Sequence, residues 1–119
     1  MKHIIKTEEL AMAIITIYLA TLLHLPISGW MYFIAFFSAD ISMLGYAINN
    51  KVGATMYNFC HHKGIALVVA LIGLLINNEY VIFAGLMLLA HSSFDRMMGY
   101  GLKYFTGFKY THLGNIGKK

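Results

Sequence analysis

The stretch YVIFAGLMLLAHSSFDRMMGYGLKY, residues 80–104, decides the fold class. Tyr80–Leu89 carries no charge, and His91, Asp95 and Arg96 then arrive within about a turn and a half of helix. An uncharged run that ends in ionisable groups reads as a membrane helix whose last turns hold a polar cluster.

Working outward, three more apolar segments precede it: Leu10–Leu25, Gly29–Ala47 and Phe59–Ile76. Each has roughly the 17–25 residues that a bilayer-spanning helix requires. The chain has 119 residues, of which 59% are hydrophobic and 12% charged. Its mean hydropathy is +0.65, too apolar for a soluble domain that must cover its surface with polar groups. The expectation is all-α: a four-helix transmembrane bundle in one domain, with helices over about residues 8–25, 29–48, 58–76 and 80–102 and an amphipathic tail over 103–119. Thr7-Glu8-Glu9 is expected to start the first helix as an acidic N-terminus, and HLPISGW (24–30), with the only proline, to end it. INNKVGA (48–54) reads as a loop, and the short NNE (77–79) forces helices three and four into an antiparallel pair.

Basic residues set the orientation. All nine Lys and Arg fall in the N-terminus, around the second connection, or in the C-terminal end. The first and third connections have none, so the positive-inside rule places both termini on the cytoplasmic side of the membrane. The formal net charge of +4 then suits anionic headgroups and gives no reason to invoke nucleic acid. A single cysteine, Cys60, excludes an intramolecular disulfide and a thiolate cluster.

By helical rise, Asp40, His61, His91 and Asp95 share one level, about 5–12 Å from the inner ends of three helices. His91 and Asp95 are four apart and share a helix face. Two imidazoles and two carboxylates suit one divalent ion (zinc, iron or manganese), whose bound water would act as a nucleophile near neutral pH. In that reading His91, Asp95 and Arg96 are catalytic, and Arg96, Lys103, Tyr100 and Asn58 bind the substrate, an anionic lipid or another amphipathic molecule. His112 or Tyr100 would assist proton transfer. Two other readings stand beside it. The carboxylates carry protons, cations or a small solute through a homo-oligomer, or the cluster is packing glue in a non-catalytic membrane subunit, with a carboxylate neutralising Arg96. Tyr57 and Asn58 either cap helix three or orient a ligand. His3 and His24 read as solvated, and Gly45, Gly99 and Gly101 as close approaches or helix ends.

The segments DISMLGY (40–46), GATMYNFCH (53–61), AHSSFDRMMGYGLKY (90–104) and THLG (111–114) keep their order and together resemble the domain-of-unknown-function 4260 family. On these motifs the resemblance runs from helix two to the tail, and helix one matches only in being hydrophobic. It implies a small bacterial integral membrane protein of about four helices, with recurring polar residues at Asp40, Tyr57, Asn58, His61, His91, Asp95, Arg96, Lys103, Thr111 and His112. Its Tyr-Asn-x-x-His pattern selects His61 over His62. The family often has an acidic residue before Thr-His, where this chain has Tyr110. The resemblance implies no activity, cofactor or substrate.

Overall fold

The computed structural model describes residues 2–103 and 110–115. Among them the chain is helical apart from one small hairpin, with helices α1 (Lys2–Thr21), α2 (Gly29–Phe37), α3 (Asn50–Cys60), α4 (Lys63–Leu75) and α5 (Glu79–Met97). Between α2 and α3 the backbone tightens into a 3₁₀ segment, Ser38–Ala47. The hairpin pairs β1 (Tyr110–Thr111) antiparallel with β2 (Gly114–Asn115), and Lys103 bridges to Thr111.

The helix bounds depart from the expected ones for local reasons. Helix α1 starts at Lys2 because the Thr7 hydroxyl turns back to the His3 carbonyl inside the helix and caps nothing. The expected loop at 48–54 is largely helix: Asn49 is an N-cap whose side chain accepts the Val52 N–H at 2.8 Å. The expected third helix is two, broken at His61–His62, where His62 caps α4 by accepting the Ile65 N–H. The expected second helix changes pitch at Ser38. At the α4–α5 turn two asparagines divide the work. Asn77 takes a positive φ of 54° that ends α4, and the Asn78 side chain accepts the N–H groups of Tyr80 and Val81 to start α5.

No single helix among the described residues is long and apolar enough to cross a membrane; α3 and α4 together have the length and composition, but are bent by 48° at their break. Helix α5 is the central element, packed against α1, α2 and α4, while α3 lies along the 3₁₀ segment. The α4–α5 pair is close because Gly85 has no side chain, and a Cβ there would meet the Ala70 nitrogen and the Ala66 carbonyl. The interior is built of small residues: Ala13, Ala20, Ala39, Ala54, Ala66 and Ala90 are buried. Large aliphatics point outward, with Leu44, Ile48 and Leu75 each 70–73% exposed. Two polar contacts mark the ends of the bundle. Lys63 pairs with Glu9 where α1 and α4 begin, and Glu79 accepts the His24 N–H at 3.1 Å where α5 begins. His24, expected to be solvated, keeps an exposed ring that also lies 3.3 Å from Glu79.

Candidate metal centre

Four side chains converge where the helices break. Asp40 lies in the 3₁₀ segment and His61 is the C-cap of α3, while His91 and Asp95 lie one turn apart on α5. Each offers a ligand atom, and all four atoms lie within 4.8 Å of one another. His61, His91 and Asp95 are buried or nearly so, whereas the Asp40 side chain is 41% exposed.

The separations bear on what the cluster can hold. His61 Nε2 is 3.1 Å from Asp95 Oδ2 and 3.6 Å from Asp40 Oδ1. His91 Nε2 is 3.1 Å from Asp40 Oδ1 and 3.5 Å from Asp95 Oδ1. Ligands about 2.1 Å from a tetrahedral ion stand about 3.4 Å apart, close to these N–O separations, of which the two to Asp95 involve its different oxygens. The tautomer of His61 points the same way. Its Nδ1 lies 2.9 Å from the Tyr57 carbonyl, which can only accept, so Nδ1 carries the proton. The buried Nε2 faces the Asp95 and Asp40 oxygens at 3.1 and 3.6 Å and has no hydrogen-bond partner among the described residues. A cation between these atoms would be held by all of them, and the Nδ1–H to carbonyl bond is the outer support that ligating histidines usually have. His91 is held differently. Its ring is walled by Phe36 and Phe37, with centroids 5.1 and 5.9 Å away, and its Nδ1 has no hydrogen-bond partner among the described residues.

The remaining expected site residues divide. Arg96 donates from Nη2 to the His61 carbonyl at 3.2 Å, placing a cation at the C-terminal end of α3. Among the described residues it pairs with neither carboxylate, so the expected Asp–Arg96 neutralisation does not form. Asn58 does not cap α3. Its side-chain amide donates to the Lys103 carbonyl and accepts the Lys103 N–H, fastening the chain after α5 onto α3. Lys103 is buried, with Nζ 4.7 Å from the centre of the Tyr57 ring and 5.9 Å from that of the half-exposed Tyr100. His112 does not reach the cluster: its ring Nδ1 accepts the Leu102 N–H at 2.8 Å and its own N–H donates to the Leu102 carbonyl. Phe105 and Phe108 of the amphipathic tail lie outside the described residues. Gly99 ends α5 at φ +92°, with the Tyr100 N–H reaching the Asp95 carbonyl at 2.8 Å. Residue spacing gave no hint of the aromatic wall around His91. It did place Tyr57 one turn before His61, and that signal was open to two uses; the structure selects the orienting one.

The sequence profile of DUF4260, a domain of unknown function, matches residues 2–116. The chain belongs to the DUF4260 family. The match takes in α1, beyond the motifs quoted above, and so covers all four cluster residues and the segment that fastens over them. Neither the curated proteins nor the solved structures contain a match.

In this DUF4260 chain burial draws the Lys103 ammonium down to about 8 from its ordinary 10.5, against the opposing pull of the Asp95 carboxylate. Its folded value lies below the unfolded one, so between those values the unfolded chain binds more protons and stability rises with pH. Unfolding followed across this interval should show that rise in the wild type, and the wild-type-minus-variant difference for Lys103→Met should isolate it. Parallel profiles for the two proteins would exclude it.

Proposed function

We propose that this protein is a metal-dependent enzyme of the bacterial cytoplasmic membrane, most simply a hydrolase acting on an amphipathic, anionic substrate at the inner leaflet. One observation carries the metal reading: ligand atoms of Asp40, His61, His91 and Asp95 all lie within 4.8 Å of one another, and the buried His61 Nε2 faces carboxylate oxygens without a hydrogen bond among the described residues. Zinc, iron and manganese all accept this donor set. His61, His91 and Asp95 hold the ion from the buried side. Asp40 completes the set and marks the exposed edge at which water and substrate arrive. An ion held there lowers the pKa of a bound water into the neutral range.

The membrane reading is supported by the distribution of side chains. Alanine, serine and histidine lie inside and large aliphatics outside, as in helices that pack through small residues in lipid. In water so much exposed apolar surface is a liability. The pitch change and the helix break lie beside the cluster, where protein surrounds the irregular backbone.

Elemental analysis of the full-length chain, purified in detergent without chelators, tests the metal reading. About one equivalent of a first-row transition metal per chain is expected; its absence would sink the hypothesis. A second reading has its own support, because Asp40 and His61 both lie where helices are interrupted, the arrangement of ion sites in many transporters. In that case a homo-oligomer conducts protons or cations. Liposome flux that falls in Asp40→Asn, in metal-free protein, would favour it.

A further inference from the structure

Three contacts orient the inner ligands, and one residue makes all of them. The Tyr57 carbonyl accepts the His61 Nδ1–H at 2.9 Å. The Tyr57 ring stacks on the His61 ring, with centroids 3.8 Å apart and planes 9° from parallel. The Tyr57 hydroxyl donates to Asp95 Oδ2 at 2.9 Å. Its side chain is buried at 3% exposure, so water does not compete for these contacts.

Building on the metal reading above, we propose that Tyr57 is the positioning residue that sets the coordination number of the ion. The backbone bond and the stack together leave His61 one orientation, with Nε2 forward. The phenol draws on the donor strength of Asp95 Oδ2, which leaves Oδ1 as the better ligand oxygen and keeps Asp95 attached through one atom. Four single-atom ligands then give a four-coordinate ion. Without the phenol Asp95 is free to turn both oxygens inward, and the ion gains a fifth donor. Outer supports of this kind typically change metal affinity about 10–100-fold.

Cobalt(II), whose visible bands are intense when four-coordinate and weaken as ligands are added, is the probe. It would be titrated into the metal-free full-length protein in detergent. Wild type should show intense bands. Tyr57→Phe, which keeps the ring and the backbone carbonyl, should show weaker, shifted bands and about tenfold weaker cobalt affinity. Identical spectra and affinities overturn the inference, even if Tyr57→Phe melts at a lower temperature, because a merely structural role moves only the melting point. A wild type that binds no cobalt removes the metal reading itself, and this inference with it. Should Tyr57→Phe fail to fold, the infrared carboxylate bands of the zinc-loaded wild type decide. A splitting of the one-oxygen kind supports the role and one of the chelating kind overturns it.

Discussion

Asp95→Asn is expected to abolish metal binding while leaving the helices in place. The substitution keeps the shape of the side chain and replaces the more buried of the two carboxylates that face both imidazoles, at 3.1 Å from His61 Nε2 and 3.5 Å from His91 Nε2. Losing a charged, buried ligand should cost more than the about 10–100-fold typical of an outer-shell change. The same variant separates the metal centre from a plain ionic network. In a network, the carboxylate neutralises buried imidazolium groups, and removing it leaves uncompensated charge worth about 3–5 kcal/mol of stability in the metal-free protein. At a metal centre the wild type instead gains stability when zinc is added, and Asp95→Asn does not. What is lost is only the stabilisation that added metal provides by binding the folded state. Thermal unfolding of both proteins with chelator and with zinc reads the difference. A large destabilisation in chelator, with no response of the wild type to zinc, would leave the network as the better account.

Gly85→Leu should be the most damaging substitution outside the cluster. Any side chain at Gly85 meets backbone atoms of Ala66 and Ala70, which cannot rotate out of the way. Helices α4 and α5 must therefore separate along their length, and α5 carries His91 and Asp95. Overpacking against movable side chains costs about 1–3 kcal/mol, and against backbone the loss should reach or exceed the top of that range. Denaturant unfolding in detergent measures it, with Gly29→Ala as the contrast, since nothing lies within 4 Å of a Cβ at Gly29. Equal stability of the two variants would show that α4 and α5 do not approach this closely.

What could be read from the sequence was what local spacing encodes. The four-residue step from His91 to Asp95 put both on one face, and their ring nitrogen and carboxylate oxygen lie 3.5 Å apart. Spacing said only that His61 and His62 point apart; the family pattern picked His61, and His62 caps α4. The short NNE segment gave the antiparallel pair. The helix count was harder to read. Asn49 and Gly53 look like loop residues in composition, yet one is a cap and the other lies inside α3. Hydropathy says nothing about pitch, so the change to 3₁₀ at Ser38 left no trace in the pattern. The roles of Asn58 and Arg96 were illegible for a different reason. Their partners are backbone groups 45 and 35 residues away, and a backbone group looks the same in every residue.

The helix break at His61 has a consequence for how the protein comes into being. During synthesis Asp40 and His61 emerge first and face only each other, half of the ligand set, until α5, which carries His91 and Asp95, has packed against α4. An ion therefore has nowhere to lodge until the bundle is nearly assembled. It enters as a late rivet that joins three separately formed pieces, and the apo chain must reach its fold on helix packing alone.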